Sequence, residues 1–205
     1  MVNISFAVSV CTEAFELKRL LKQLKSTLSK EDEIVIQIDV DNTNQEVLDV
    51  ISNENNVVKV FFGLNKDFAG FKNNLFNKCK KDYIIFIDAD EEVSKDQIDV
   101  IRQVLELNPT VDCFLIPRIN TVEGLTQQHI EQWNWRVDDQ NRINWPDPQF
   151  RICKNVSSIR WEGKVHERLT GYNQAGILPP EEIYALKHHK TITKQEQQNN
   201  FYGTI

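Results

Sequence analysis

Near the middle of the chain, Asp88-Ala89-Asp90-Glu91-Glu92 follows directly on the apolar run Ile84-Ile85-Phe86-Ile87. An unpaired carboxylate beside a low-dielectric core costs several kcal/mol, and the cost falls when a cation is shared. Mg2+ and Mn2+ take oxygen ligands, commonly one or two carboxylates together with substrate phosphates. Side chains at i and i+2 of an extended segment share a face. The spacing therefore turns Asp88 and Asp90 toward one ligand, and the small Ala89 between them leaves room for close approach. The triplet alone is a weak signal, because an acidic run after a strand also serves to cap the next helix and face water. Further groups able to do chemistry lie in "TE" (Thr12, Glu13), "DVD" (Asp39, Asp41), "PDPQFR" (Asp147, Gln149, Arg151), "KVHERL" (His166, Glu167) and "LKHHK" (His188, His189).

The elements that must position these groups follow from periodicity. Asn3–Val10 reads as a strand. "TEAFELKRLLKQLKSTL" reads as a helix with Thr12 as N-cap and Phe15, Leu17, Leu20, Leu21, Leu24 and Leu28 near helical spacing. "EIVIQIDVD", "VVKVFFG" and "YIIFIDAD" are strands, separated by the helices "NQEVLDVISNE" and "FAGFKNNLFNKCKK". The first 90 residues are thus β-α-β-α-β-α-β, which implies an α/β chain built on a mostly parallel, doubly wound sheet with helices on both faces. Ligands of such sheets bind beyond the carboxyl ends of the strands, where Thr12-Glu13, Asp39/Asp41 and Asp88/Asp90 should converge. Beyond Glu92 come an amphipathic helix with Ser94 as N-cap, a strand "DCFLIPRIN", an irregular piece Thr121–Asp147, strand pieces in "PQFRICKN" and "IRWEGKVHERL", a last strand "YALKHHK" and a polar tail. No linker marks a boundary. One domain over 1–205 is expected, in two halves at 1–92 and 93–190 with a polar tail at 191–205.

Composition narrows the class. Hydrophobic content of 40% and charged content of 26% are those of an ordinary globule, and no apolar run approaches the ~20 residues of a membrane helix. The N-terminus lacks a basic region ahead of its apolar stretch and reads as a strand, so a cytoplasmic location is expected (the host cytoplasm if the gene is a phage's). Cys11, Cys79, Cys113 and Cys153 form no Cys-x-x-Cys pair, which points to free thiols rather than zinc ligands. A net charge of −6 supplies no general attraction to nucleic acid or anionic lipid, and it makes a divalent cation useful for a phosphate ester.

Four segments, "VSVCTEAFELKRLLKQL", "DFAGFKNNLFNKCKKDYIIFIDADEEVS", "IPRIN" and "DPQFRICKNVSSIRWEGKVHERL", carry a resemblance to family 2 glycosyltransferases of the GT-A fold, in particular the compact bacterial and phage branch that includes lipopolysaccharide-core β-glucosyltransferases. The likeness runs from Ser5 to about His189. It implies a nucleotide-diphospho-sugar transferase fold with Thr12 and Glu13 near the ribose or base and Asp39 at the base or ribose, Asp41 lying on the same donor side. It further implies Asp88 at the ribose and sugar, Lys72 at a phosphate or the donor sugar, and Asp90 on a Mn2+ or Mg2+ ion held by the diphosphate. A late histidine, His188 or His189, would complete the metal shell, and strand alternation lets only one of them face it. The family's Ser/Gly/Thr-Asp-Gly turn after the second strand is absent, since Asp41-Asn42-Thr43-Asn44 holds no glycine.

Sugar transfer needs charge stabilisation at the leaving diphosphate and a base for the acceptor hydroxyl. Glu167 is the expected base, with His166 orienting it or touching a phosphate, and Asp147 is the rival. Gln149 and Arg151 alternate with Asp147 and are placed to contact donor or acceptor. Trp133, Trp135 and Trp145 offer flat faces for a sugar ring or nucleobase, or anchor their loop. The reading is an inverting, metal-dependent transfer from a nucleotide-sugar, a UDP-sugar by preference, to a glycan or lipid-linked glycan such as lipopolysaccharide. One alternative acceptor is a hydroxymethylated base in phage DNA, which would require a basic groove built from Arg136, Arg142, Arg151, Lys154 and Arg160. A second alternative is a non-catalytic nucleotide-binding regulatory domain, which needs Asp88 and Asp90 but not Glu167. A nucleotidyltransferase is disfavoured because "SVCTEAF" lacks a glycine-rich phosphate loop.

Overall fold

A computed structural model describes residues 2–164 and 167–202. In chain order the elements are β1 (Ile4–Val10), α1 (Ala14–Thr27), β2 (Glu33–Asp39), α2 (Gln45–Ser52), β3 (Val58–Phe62), α3 (Phe68–Phe76), β4 (Tyr83–Asp88), β5 (Glu91–Glu92) and α4 (Lys95–Leu107). They continue with β6 (Cys113–Ile116), β7 (Arg118–Glu123), α5 (Gln127–Gln132), β8 (Gln149–Lys154), β9 (Arg160–Glu162), β10 (Arg168–Thr170), β11 (Ala175–Ile177), β12 (Leu186–Thr191) and α6 (Ile192–Tyr202).

Among the described residues the main sheet has seven strands in the order β11-β6-β8-β4-β1-β2-β3. β1 to β4 are mutually parallel, and β8 runs antiparallel to both β4 and β6. The central strands are apolar throughout because helices cover both faces. Leu17, Leu20, Leu21 and Leu24 of α1 pack on one side with Ile98, Ile101 and Leu105 of α4, while Leu75 and Phe76 of α3 pack on the other with Phe86 and Trp161. Phe15 falls outside the buried stripe of α1 and is exposed, which corrects its inclusion in the periodic set. α4 begins with the expected Ser94 cap, completed as a capping box by Gln97.

The expected strand "DCFLIPRIN" is two strands in two sheets. Pro117 has no N–H to offer a ladder, and at that residue the chain leaves the main sheet. β7 then joins a three-stranded sheet of order β5-β12-β7. This small sheet positions His188, which it pairs with Glu91 on one side and with Asn120 on the other.

Candidate active site

The parallel registers set Ser9 of β1 opposite Asp88 of β4 and bring Asp39 to the end of β2. Beyond these strand ends opens a cavity of about 640 Å3, lined among others by Glu13, Asp39, Lys72, Asp88, Asp90, Asp147, Gln149, Arg151, Glu167 and His188. At the end of β2 Asp39 is buried. Its carboxylate accepts hydrogen bonds from the Asp41 and Leu64 backbone N–H groups and from the Asn42 side chain, so the loop after β2 is tied down without a glycine. Glu13, not Thr12, takes the N-cap position of α1, and its carboxylate accepts from the Cys11 and Thr12 N–H groups.

Asp88 and Asp90 line the same cavity, but by a different route from the one expected. Asp88 ends β4, and Ala89-Asp90 form a turn rather than an extended i, i+2 pair. Asp88 accepts from Ser9 Oγ at 3.0 Å and from Arg151 Nη2 at 2.8 Å, while its N–H donates to Glu91 at 2.9 Å. Arg151 is 3% exposed and also holds Glu91, itself fully buried, at 2.6 Å. Arg151 is therefore neither a surface cation nor a free arm for the donor. One guanidinium serves two carboxylates, and their responses diverge. Burial would raise the Asp88 carboxyl, but Arg151, Lys72 and the bonds from Arg151 and Ser9 hold it well below the usual range. At Glu91 burial prevails and, with the neighbouring Asp88 charge, pushes the carboxyl up against the pull of Arg151.

Asp90 Oδ2 lies 3.3 Å from His188 Nε2 and 3.8 Å from Lys190 Nζ. Burial opposes ionisation of Asp90, but the hydrogen bond and charge of His188 and the charge of Lys190 keep its carboxyl below the usual value. Two cis ligands, each about 2.1 Å from an octahedral ion, stand about 3 Å apart. The Asp90–His188 pair has that spacing and the right donor types for Mn2+ or Mg2+. Among the described residues no third His, Cys, Asp or Glu joins them. This suits an ion that fills its remaining positions with water and substrate phosphate.

Elsewhere on the cavity wall, Glu167 is mostly buried and its carboxylate is 2.5 Å from Lys72 Nζ. Lys72 in turn sits 4.4 Å over the Trp161 ring. His166 lies outside the described residues. Asp147, the rival base, accepts two hydrogen bonds from Arg118, one from Asn120 and one from Gln149. Burial would raise its carboxyl, but Arg118 and these bonds lower it. A carboxylate saturated in this way is a poor proton acceptor, so the geometry opposes Asp147 as the base.

Several expectations are corrected. His189 points away from the cavity, is half-exposed and bonds Thr121 Oγ1 at 2.9 Å; the alternation of β12 gives the site to His188. Asp41 is exposed and accepts from the Asn65 N–H, clamping a loop outside the cavity wall. Thr12 is exposed and does not line the cavity. Four of the five cations proposed for a DNA groove are engaged elsewhere. Arg151 is buried, Arg142 pairs with Asp138 and lies over Trp145, and Arg160 pairs with Glu162. Lys154 pairs with Asp112 beside the start of β4, at the far end of the sheet. Of the tryptophans in the irregular piece, Trp135 lines the cavity, and Trp133 stacks on His129 and lies tilted against Trp135. Sequence reasoning assigned no role to Glu91, Arg118, Asn120 or Lys190. Each stands within a quoted motif ("DADEE", "IPRIN", "LKHHK"), but only strand pairing shows that they meet.

A family model described as Glycosyl transferase family 2 matches residues 5–165. The SPbeta prophage-derived glycosyltransferase SunS of Bacillus subtilis (strain 168) and glycosyltransferase SunS of Bacillus phage SPbeta are each 28% identical over 176 residues. The match covers 84% of this chain and 36% of theirs, so the chain spans little more than a third of the length of these relatives. Among solved structures, S. aureus TarS 1–349 in complex with UDP superposes with a TM-score of 0.62 at 15% identity, over 91% of this chain and 60% of that one. The same protein in complex with UDP-GlcNAc gives 0.60 at 16% identity, over 93% and 59%. No helix among the described residues is long and apolar enough to cross a membrane.

Proposed function

The chain belongs to glycosyl transferase family 2 and has the GT-A fold, and from that premise we propose that it moves a sugar from a UDP-sugar to an acceptor hydroxyl of a glycan, with inversion, in a reaction that needs a divalent cation. The observation that carries this reading is the convergence of Asp88, Asp90, His188 and Glu167 on one cavity at the carboxyl ends of the strands. UDP and UDP-GlcNAc are bound by the structural neighbour, which supports a uridine donor here. Glu13 and Asp39 line the wall where the nucleoside would sit.

Asp90 and His188 would hold the ion, which when bound supplies Lewis-acid stabilisation of charge on the leaving diphosphate. Asp88, fixed by Ser9 and Arg151, offers an ionised oxygen to the ribose or sugar hydroxyls. Lys190 adds a positive charge beside Asp90. Glu167 accepts the acceptor's proton, and its partner Lys72 fixes the carboxylate's direction. Trp135 provides a flat apolar wall suited to a sugar ring. In a single displacement the base and the leaving group stand on opposite sides of the anomeric carbon.

The test is UDP release from a panel of UDP-sugars with Mn2+, comparing wild type with Asp90→Ala and Glu167→Gln. Turnover by wild type and its loss in both variants is expected. Tight UDP binding without turnover of any donor would favour the regulatory alternative instead.

A further inference from the structure

Four side chains make a continuous series of contacts from Asp147 to Asp90. Asp147 Oδ2 accepts from Asn120 Nδ2 at 2.7 Å, and Asn120 Oδ1 meets His188 Nδ1 at 2.8 Å. His188 Nε2 then faces Asp90 Oδ2 at 3.3 Å. The chemistry of each group dictates the next. An ionised carboxylate only accepts, so the amide must turn its NH2 toward Asp147. Its carbonyl oxygen is then left for the imidazole, and an oxygen that only accepts requires a hydrogen on Nδ1. Nδ1–H is thus present whatever the charge of the ring; with its other proton in place Nε2 donates to Asp90, and when that proton is given up Nε2 is the nitrogen whose lone pair faces Asp90 and the cavity. Arg118 holds Asp147 ionised and in place through two bonds, at 3.0 and 2.8 Å. The register puts Asn120 directly beside His188 on the paired strands β7 and β12.

We propose that Asp147 and Asn120 are positioning residues that fix His188 as its Nδ1–H tautomer, so that Nε2 is the nitrogen presented to a divalent cation shared with Asp90. This rests on the proposed function, in which Asp90 and His188 hold the ion. It assigns Asp147 a purpose other than that of a base, and it explains why its carboxylate is fully engaged. Partners behind a metal-ligating histidine fix its tautomer and orientation, and their loss typically lowers metal affinity 10- to 100-fold.

The test uses the full chain, without sugar donor. Long-range 1H–15N correlation spectra of 15N-histidine protein at pH 8 report which ring nitrogen bears hydrogen, with the His188 signals assigned by their loss in His188→Gln. Mn2+ affinity in the presence of UDP is read from the EPR signal of free Mn2+. Wild type should show Nδ1–H. Asn120→Ala should show a mixture with Nε2–H and bind Mn2+ about 10- to 100-fold more weakly. Asp147→Ala removes the acceptor that orients the Asn120 amide and should likewise show the mixed tautomer and weaker Mn2+ binding. Asp147→Asn keeps an oxygen facing Asn120 Nδ2 and should retain the tautomer and bind Mn2+ within about threefold of wild type, a rescue that a merely structural role would not give. A wild-type ring without hydrogen on Nδ1, or unchanged Mn2+ affinity in a folded Asn120→Ala, would overturn the relay. If the wild type shows Nδ1–H yet binds no Mn2+ with UDP, the metal reading fails and the relay loses its purpose, a pattern distinct from failure of the tautomer lock.

Discussion

Each end of the main sheet carries a buried arginine–carboxylate system, and the two are built to different ends. Beside the starts of β1 and β2, the Asp32 side chain is fully buried and accepts from the Ile4 and Ser29 N–H groups and from both terminal nitrogens of Arg102. The same arginine donates to the Val2 carbonyl. Both carboxylate oxygens are satisfied within the fold. At the carboxyl ends, Arg151 divides one nitrogen between Asp88 and Glu91, and its Nε and Nη1 have no hydrogen-bond partner among the described residues. Asp88 keeps 37% of its side chain exposed to the cavity. The carboxyl groups respond differently. Burial opposes ionisation of Asp32, but Arg102 and the backbone donors lower its carboxyl; at the cavity the response splits, with Asp88 lowered and Glu91 raised. The lesson is that a closed ion pair is structural, and one left incomplete toward a cavity carries charge for a ligand at some cost in stability.

The contrast can be broken in several ways. The largest effect should come from Asp90→Ala, which removes a proposed metal ligand. UDP-sugar turnover should fall about 1,000-fold or more while the melting temperature moves little. A comparable loss of fold stability would place Asp90 with the structural carboxylates. Arg151→Leu leaves Glu91 and Asp88 without their cation and should destabilise the chain by about 3–5 kcal/mol in urea denaturation; a value near zero would show that Arg151 holds nothing together. Glu167→Gln should lower kcat about 100- to 1,000-fold with KM nearly unchanged, and an unchanged kcat would remove it as the base. The smallest effect tests the closed end. Because the folded Asp32 carboxyl is depressed, its contribution is fully present above the ordinary aspartate value of about 4 and is lost as pH falls through the lower folded value. Wild type should therefore lose stability progressively below about pH 4. Asp32→Asn should be less stable at neutral pH and show a flatter acid limb, as read from urea midpoints between about pH 2 and 7.

Much of the scaffold was legible from local pattern. The β-α-β-α-β-α-β order through Asp88, the Ser94 cap and the acids at strand ends each depend on residues near one another in sequence, and hydrophobic period and capping chemistry report such features directly. Legibility failed where the partner lay far along the chain. Arg151 reads as a substrate-facing arginine because nothing near it in sequence shows that β8 inserts antiparallel between β6 and β4. Asp147 read as a candidate base because its partners arrive from β7 and β8. Asp41 and Thr12 follow strand ends in sequence, where the resemblance implies donor contacts, but their side chains are exposed and do not line the cavity. His188 and His189 were equivalent in sequence, and pairing of β12 with β5 and β7 distinguishes them.

The order of residues along this chain was enough to place an apolar strand against a pair of aspartates, and through them to expect a cation and a diphosphate, because those preferences act over a few residues. Which nitrogen, which histidine and which carboxylate remain free for chemistry was decided by the fold. Whether a buried polar group is satisfied depends on donors that the sheet brings from 60 or more positions away, such as Arg151 at Asp88 and His188 at Asp90.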